Sequence, residues 1–510
     1  MFNKKDLKLF KAKGITPGQV EEQLEHFRKG FPFIQLDAPA TPGNGIIQLS
    51  GQDVERYAKI YEDRLDRIDV IKFVPASGAA TRMFKELFAY LEDLEGSKDE
   101  GLLLKSYPQL ADLLQSADSL PFINQLRKEL SSDGMDVDDL VRQNRAGDIV
   151  QKILDKPGLG YGNLPKGLIR FHAYPDRSRT SFEEHLVEGA WYAQSAGAEV
   201  RLHFTVSPEH MDSFKNHLEE VRKMYEDLFK VRYLVNFSVQ QPSTDTVAVD
   251  MDNIPFRDES GNIVFRPGGH GALLENLNNL DEDLIFIKNI DNIAPDRMKS
   301  IAIRYKKALA GLLIEFQDNI FTALRELESN DVSPDRLQEI CEFVGSNLCK
   351  MEKKVDQDSA GKVKLMLKEI LNRPLRIAGM VKNEGEPGGG PFWVRQPDGR
   401  IDLQIVEASQ VSPDQTGILK KSTHFNPVDL VCAVKDYRGD TFDLVKFRDP
   451  ETGFITEKSI SGQPVKAQEL PGLWNGSMAG WNTLFIEVPV ETFTPVKTIY
   501  DLVREEHLQK

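Results

Sequence analysis

The sequence has 510 residues, of which 40% are hydrophobic and 28% are charged, and this composition excludes a largely disordered chain. Acidic residues outnumber basic ones, and the net charge of −15 argues against nonspecific binding to nucleic acid or to an anionic membrane. The three cysteines are too few for a disulfide framework or a four-thiolate zinc site.

The N-terminal part of the chain is predicted to be helical. Thr16 precedes Pro17 at the start of one helix, and residues 53–68 carry a second helical pattern. The opening MFNKKDLKLFKAKG lacks the apolar core of a signal peptide, and no apolar run approaches the ~18 residues of a membrane span. We therefore expect a cytoplasmic protein that does not enter a membrane.

An α/β region is predicted to begin at the apolar strand Val70–Pro75. Small residues follow this strand, and a helix is expected from Thr81 to about Leu94. Residues 97–155 are helical and charged, as in an insertion. The later elements of this region are helices at 181–196, 208–230 and 270–280 and strands at 199–206, 233–240 and 284–288. This alternation predicts an α/β fold with a mostly parallel mixed sheet and helices on both faces.

The second half of the chain changes from helical to strand-rich at about Pro374. Residues 296–372 are predicted to form two or three long helices. Strands are predicted at 376–381, 401–406, 430–435, 441–447 and 483–488, and a final helix at 496–505. The expected domains are a helical lead-in (1–69), an α/β half (70–295) with its insertion, a helical insertion (296–375) and a β-rich half (376–510).

Several segments that suit ligand binding fall at the carboxyl ends of predicted strands, where open α/β sheets bind ligands. Residues 76–80 are small and precede the helix expected from Thr81, so their backbone N–H groups suit a phosphate; a tight strand-to-helix turn explains them equally well. Lys166 lies between Pro165 and Gly167, where its ammonium group can meet a phosphate, although a solvated turn lysine has the same pattern.

Two further segments have the same kind of position. Glycines flank His270, which exposes backbone to a flat ligand such as a base, although a helix-capping loop has the same composition. Asp291 follows the strand at 284–288, where a carboxylate suits a divalent metal on phosphate oxygens, or else the N-cap of a following helix.

In chain order, these segments resemble motifs of the UDP-sugar pyrophosphorylase family, within the nucleotide-diphospho-sugar transferase superfamily. Each motif is weak alone, but their order across residues 74–502 is specific. The matching segments are Ser77–Thr81, Pro165–Gly167, Thr205–His210, Phe237–Gln240, Pro267–Gly271, Asn289–Asn292, Val406–Val411, Phe425–Leu430 and Phe493–Thr498.

The resemblance implies a fold shared with many glycosyltransferases and transfer of a uridylyl group from UTP to a sugar 1-phosphate, assisted by Mg²⁺, in a monomer or homodimer. It implies catalytic roles for Arg82, Lys166 and Lys497, and metal binding by Asp291 and Asp429. The implied nucleotide contacts are Ala76, Ser77, Gly78, Ala79, Thr81, Gln240, Gly269, His270 and Gly271, and the implied sugar contacts are Glu407, Asn426 and Lys382.

The sequence also departs from the family's motifs. The first loop keeps only Gly78 of its usual glycines, and Asp429 stands where the family has Asn. Two alternatives therefore stay open: a glycosyltransferase or cytidylyltransferase on the same fold, and a nucleotide-sugar-binding protein with weak catalysis. His210 and His217 lie seven residues apart on a predicted helix, a spacing that suits helix packing better than a metal site.

Overall fold

A computed structural model describes residues 2–78, 80–97, 99–329, 332–351, 360–386, 388–460 and 462–508. Ala79, a predicted nucleotide contact, lies outside these residues. The chain divides into two compact units. Unit 1 comprises Met1–Phe73, Ser238–Ile287 and Tyr305–Val488, and unit 2 comprises Val74–Phe237, Lys288–Arg304 and Pro489–Lys510. The domain limits expected from the sequence stay a prediction.

The helices begin and end as follows. They are α1 Lys4–Lys13, α2 Pro17–Lys29, α3 Gly51–Arg64, α4 Lys85–Gly96, α5 Glu100–Leu104, α6 Pro108–Gln115, α7 Ile123–Ser132, α8 Val137–Arg142, α9 Ala146–Leu154, α10 Ser181–Tyr192, α11 Met211–Phe229, α12 Leu274–Leu277, α13 Asp296–Glu328, α14 Pro334–Asn347, α15 Ala360–Leu371 and α16 Thr416–Leu419. Within the described residues, no helix is both long and apolar enough to cross a membrane.

The strands are generally shorter than the helices. They are β1 Leu36–Pro39, β2 Thr41–Pro42, β3 Gly45–Ile47, β4 Val70–Pro75, β5 Arg170–Ala173, β6 Ser178–Thr180, β7 Gln194–Ser195, β8 Glu199–Thr205, β9 Arg232–Ser238, β10 Thr246–Val249, β11 Phe265–Arg266, β12 Leu284–Lys288, β13 Cys349–Lys350, β14 Leu375–Lys382, β15 Gly390–Arg395, β16 Ile401–Val406, β17 His424–Phe425, β18 Asp429–Ala433, β19 Phe454–Ile460, β20 Gln463–Glu469 and β21 Asn482–Glu487.

Unit 1 is built on a mixed sheet in the order β2-β3-β21-β14-β18-β12-β4. β12 and β4 run parallel, as do β14 and β21, whereas β18 runs antiparallel to β14. Two smaller sheets have the orders β1-β15-β16-β13 and β11-β10-β20-β19. The buried side chains of β12 and β18 contribute to one apolar core, because both strands are almost continuously hydrophobic. The predicted α/β class with a mixed sheet is therefore confirmed.

In unit 2, helices pack around two apolar cores. One core joins α10 and α11 to the strand β8, which also pairs with β7 and β9. The other core joins α4 and the helices α6–α9 to Ile293, Val496 and Leu502. The helical segment 97–155 thus shares its core with the residues that flank Asp291 and Lys497.

Most of the predicted elements are confirmed, and the exceptions have local causes. The predicted strand at 441–447 was wrong, since this segment forms a 3₁₀ turn at Leu444–Phe447 with Leu444 buried. The predicted final helix at 496–505 was also wrong. There the Asp501 carboxylate accepts the backbone N–H groups of Lys497 and Thr498, which favours short 3₁₀ turns. The sequence did not predict the strands β1–β3, β5–β7, β10, β11, β13, β15, β17, β19 and β20.

The helix α13 packs against α3 at Gly311. A Cβ atom at Gly311 would lie 1.8 Å from the carbonyl oxygen of Tyr57 in α3. The pairs Arg56–Glu315 and Lys307–Glu62, both at 2.6 Å, flank this contact. Gly311 therefore permits a close helix approach that no other residue allows.

We expect Gly311→Ala to lower the free energy of unfolding by at least about 2 kcal/mol, because the helices must separate to admit the methyl group. Gly361→Ala is the matched control, because Gly361 also lies in a helix but has no atom within 4 Å of its Cβ position. The control is expected to be neutral or stabilising by up to about 1 kcal/mol. Denaturant unfolding measures both, and equal effects would contradict the proposed contact.

Candidate active site

The loop after β4 is held in place by its backbone. The N–H of Ala76 donates to the carbonyl of Thr205 at 2.9 Å, and the N–H of Ala80 donates to the carbonyl of Leu164 at 3.2 Å. Gly78 is exposed, and a Cβ atom there would meet nothing within 4 Å. The loop therefore presents an open backbone surface in unit 2 at the point where a strand gives way to a helix.

The loop at residues 76–82 ends with two exposed polar residues. Thr81 and Arg82 form the 3₁₀ turn that precedes α4, and both side chains are exposed. Within the described residues, Arg82 forms no ion pair. The loop thus ends in a cation that is available to an anion from solution.

Lys166 lies beside this loop, and its ammonium group is buried. Its backbone N–H donates to the carbonyl of Gly78 at 3.5 Å. Its Nζ donates to Oδ2 of Asp291 and to the carbonyl of Val496, both at 2.9 Å. Gly167 allows this placement, since a Cβ atom there would lie 2.7 Å from the ring of Phe214.

Asp291 holds two lysines at once. Lys497 Nζ donates to Oδ1 and Oδ2 of Asp291 at 3.2 and 3.1 Å. The side chains of Asp291 and Lys166 are 13% and 11% exposed, whereas that of Lys497 is 57% exposed. Burial alone would raise the pKa of the Asp291 carboxyl, but the two ammonium groups outweigh it and lower the pKa. Asp291 is therefore ionised at neutral pH.

Backbone pairing fixes the relative position of these segments. The N–H of Val496 donates to the carbonyl of Asp291 at 2.9 Å, and the N–H of Thr494 donates to Oδ1 of Asn292 at 3.0 Å. The buried Asn292 thereby places Lys497 next to Asp291. The predicted residues Lys166, Asp291 and Lys497 are thus brought together in unit 2, beside the loop at residues 76–82.

The helix α10 supports the Asp291 turn. The sequence predicted this helix but not its supporting role. His185 Nε2 lies 3.2 Å from the carbonyl oxygen of Ile290, and Ser181 Oγ donates to the same oxygen. Glu188 binds Lys288 at 2.8 Å, at the end of β12. All of these side chains are buried. The signal was present in the sequence, because Glu183, Glu184, His185 and Glu188 are too closely spaced for one solvent-facing stripe.

In unit 1, the glycines of the predicted nucleotide loop serve tight packing. Gly269 has a φ of +75°, a conformation that favours glycine. A Cβ atom at Gly271 would lie 2.1 Å from the carbonyl oxygen of Pro471. These glycines are therefore explained by packing, and their predicted contact with a nucleotide stays a prediction.

His270 is neutral and fixed in its tautomer. The N–H of Leu473 donates to His270 Nδ1 at 3.0 Å, so Nε2 carries the proton of the neutral ring. The ring stacks on Trp474 with 4.4 Å between centroids. Burial lowers the pKa of His270 to about 4, against the opposing effect of Glu469. At neutral pH, His270 can donate a hydrogen bond but does not supply a positive charge.

The predicted sugar contact Glu407 lines a cavity of about 570 Å³ in unit 1, which we call the Glu407 cavity. Glu407 Oε1 accepts from Asn475 Nδ2 at 2.7 Å, and its backbone N–H donates to Gln410 at 3.0 Å. His424 also lines the cavity, and its Nδ1 lies 2.8 Å from Thr423 Oγ1. The carboxylate and imidazole groups suit a polyhydroxylated ligand.

The other predicted residues of unit 1 lie in or near strands. Asn426 is buried, and its backbone N–H donates to the carbonyl of Gly389 at 2.8 Å. Lys382 is exposed at the end of β14, in register with His424 of β17. The side-chain nitrogen of Gln240 is buried without a hydrogen-bond partner among the described residues.

The two predicted metal ligands differ in their surroundings. Asp429 is 2% exposed, and its carboxylate pairs with the buried Lys306. Asp291 lies beside the exposed loop of unit 2. Within the described residues, no cluster of three or more His, Cys, Asp or Glu side chains could hold a metal. The metal-binding roles of Asp291 and Asp429 stay predictions.

His210 and His217 do not form a site of their own. His210 is the N-cap residue of α11. His217 Nε2 lies 3.0 Å from Thr180 Oγ1 and 3.6 Å from the buried Glu183. The prediction of helix packing is consistent with these contacts.

One protein family matches almost the whole chain. Its description is "Domain of unknown function (DUF4301)", the match covers residues 3–508, and the chain belongs to this family. A sequence search of the curated proteins finds no match.

Solved structures of pyrophosphorylases are similar at low identity. The uridine diphosphate N-acetylglucosamine pyrophosphorylase from Trypanosoma brucei, in complex with an inhibitor, is 14% identical, with 95% of this chain and 74% of that chain covered and a TM-score of 0.46. A mutant UDP-glucose pyrophosphorylase from Leishmania major in complex with UDP-Glc is 13% identical, with 98% and 77% covered and a TM-score of 0.44. The α/β class itself rests on the helices and strands described above.

The two lysines on Asp291 should differ in their contribution to stability. Lys166→Met removes the buried ammonium partner of the Asp291 carboxylate. It is expected to lower the free energy of unfolding by about 3 kcal/mol. Lys497→Met removes an exposed partner and is expected to cost at most about 1 kcal/mol. Denaturant unfolding at neutral pH measures both variants, and a larger loss for Lys497→Met would contradict the arrangement.

The lowered pKa of Asp291 also predicts a pH dependence. A carboxyl whose folded-state pKa is depressed adds stability above its unfolded pKa of about 4 and loses it as pH falls through the folded-state value. Asp291→Asn should therefore be less stable than the wild type at pH 7, and the difference should shrink in acid. Unfolding curves between pH 7 and pH 3 test this, and a pH-independent difference would contradict it.

Proposed function

We propose that the chain is a nucleotidyltransferase that transfers a nucleotidyl group, with UTP as the first donor to test, to a sugar 1-phosphate and releases pyrophosphate. The observation that carries the proposal is the placement of Lys166 and Lys497 on Asp291, beside the open loop at residues 76–82. This arrangement combines an exposed loop glycine, Gly78, with two ammonium groups and a carboxylate within one unit. The order of motifs along the sequence supports the same function.

The chemistry of such a transfer fits these groups. A sugar 1-phosphate is already an anionic nucleophile, so no general base is required. The main task is to bring polyanions together and to stabilise the charge that develops at the α-phosphorus. Lys497 is well suited to that task, because its exposed ammonium group is held by Asp291 until a phosphate competes for it. Lys166 is buried, and its ion pair with Asp291 stabilises the charged form of that carboxylate.

Asp291 is the proposed ligand for Mg²⁺ that arrives with the triphosphate. The ion would act as a Lewis acid on the phosphate oxygens. The protein's own contribution is to hold the Asp291 carboxylate ionised and oriented, through the two lysines and the hydrogen bonds to Ile290. Metal binding by Asp429 stays a separate proposal for unit 1, where its carboxylate already pairs with Lys306.

The Glu407 cavity is the proposed sugar site. Its wall includes Glu407, His424 and Ser422, which offer both hydrogen-bond acceptors and donors. Asn475 holds the Glu407 carboxylate at 2.7 Å and so fixes its direction. A sugar hydroxyl pair is a natural partner for a carboxylate fixed in this way.

Pyrophosphate release is the direct test. The full chain is incubated with Mg²⁺, one of UTP, CTP, ATP or GTP, and a panel of sugar 1-phosphates. Release that requires both substrates supports the proposal, and formation of the nucleotide sugar identifies the product. Binding of nucleotide without turnover in any combination would overturn it in favour of a binding protein.

Lys497→Ala should lower kcat by about 10²–10³, because a preorganised cation at the phosphates is lost. Lys223→Ala is the matched control, since Lys223 is also an exposed lysine that pairs with a carboxylate, Asp227, at 2.6 Å. The control should keep full activity. Normal turnover by Lys497→Ala would exclude this lysine from catalysis.

Glu407→Gln should raise the KM for the sugar 1-phosphate about ten-fold and leave the KM for the nucleotide unchanged, because a charged hydrogen-bond acceptor is lost only on the sugar side. Glu384→Gln, an exposed carboxylate outside the cavity lining, is the control. If Glu407→Gln changed only the KM for the nucleotide, the proposed contact between Glu407 and the sugar would be wrong.

A further inference from the structure

A second cavity in unit 1, of about 340 Å³, is absent from the sequence-based predictions, and we call it the Phe33 cavity. Its walls are largely apolar and include Phe33, Ile34, Val394 and Ile405. The Phe33 side chain is 50% exposed, which is unusual for a large aromatic ring. The volume and the apolar walls suit a small organic molecule.

Several hydrogen-bond donors around the Phe33 cavity are already used by the protein. The Arg395 guanidinium group donates to Asp37 at 2.7 Å. The side-chain nitrogen of Gln396 donates to Asp402 at 2.7 Å, and that of Gln404 donates to Asp402 at 3.1 Å and to a backbone carbonyl at 2.7 Å. A ligand that brings only acceptors would find these donors engaged.

The acceptors, in contrast, remain available. Asn475 is 2% exposed, and its Oδ1 is buried without a hydrogen-bond partner among the described residues. Asp449 accepts one backbone N–H, from Glu451 at 3.0 Å, and burial raises the pKa of the Asp449 carboxyl. The Glu451 carboxylate lies 3.9 Å from Nε2 of His26. Asp449 is half-buried and Glu451 is exposed, and a positively charged ligand would stabilise both carboxylates.

We propose that the Phe33 cavity is a binding site for a small organic amine, with its apolar body between Phe33, Ile34 and Val394 and its ammonium group toward Asp449. The ammonium group brings donors for the acceptors of the cavity, and its charge complements Asp449 and Glu451. The apolar body removes the exposed Phe33 surface from water. The proposal does not rest on the proposed transfer reaction, although Asn475 contacts both this cavity and Glu407.

Isothermal titration of the full chain with three related indoles tests the site. Tryptamine carries an ammonium group, indole-3-acetate carries a carboxylate, and 3-methylindole is uncharged. We expect saturable binding of tryptamine at least about ten-fold tighter than that of either other compound, since only the amine satisfies the acceptors. Equal binding of tryptamine and indole-3-acetate, or no saturable binding of tryptamine, would overturn the proposal.

Two variants locate the binding. Asp449→Asn keeps the acceptor for the Glu451 N–H and should weaken tryptamine at least about ten-fold, because the charge is lost. Phe33→Ala alters an exposed side chain, so folding should persist, and it should weaken tryptamine as well. Glu342→Gln, an exposed carboxylate on α14, should have no effect. Wild-type affinity in both Asp449→Asn and Phe33→Ala would place tryptamine elsewhere and overturn the proposal.

Discussion

The ionised carboxylate of Asp291 is the interaction on which the candidate site depends. Lys166 and Lys497 approach the same carboxylate to within 3.2 Å, so their mutual repulsion is offset only while Asp291 is charged. The lysines in turn keep the carboxylate charged despite its burial. The charge of each of the three groups therefore depends on the other two.

The helix α10 supplies the rigid base for this arrangement. Glu184 binds Lys299 at 2.6 Å and Glu188 binds Lys288 at 2.8 Å, with all four groups buried. Burying such ions costs several kcal/mol each, and replacement by apolar residues is often as stable. We infer that these pairs position the turn that carries Asp291 more than they stabilise the fold, because Lys288 ends the strand that leads directly to Asp291.

The sequence predicts the elements well where hydrophobic periodicity is strong. The strands at Val70–Pro75 and Leu284–Lys288 have continuous apolar residues, and both are confirmed. The hairpin of β19 and β20 was missed because its residues are mostly half-exposed and polar, so no apolar stripe marks it. The turns near Thr498 depend on the side chain of Asp501, which periodicity does not report.

The candidate site was less predictable from local sequence patterns than the helices and strands were. Lys166, Asp291 and Lys497 were selected by a resemblance of ordered motifs, and their convergence depends on long-range pairing that no local pattern contains. The glycines around His270 suggested a ligand, yet Gly271 is required because the backbone of Pro471 leaves no space for a side chain there. The support from α10 and the Phe33 cavity arises from tertiary packing, which brings together residues that have no common motif.

The contact between Lys166 and the carbonyl of Val496 spans 330 residues of sequence. During synthesis, the ribosome must therefore translate the segment around Lys497 before this lysine can reach Asp291. Until then, Asp291 lacks one of its two ammonium partners. Contacts between residues so far apart in sequence form slowly, because a long loop must close first.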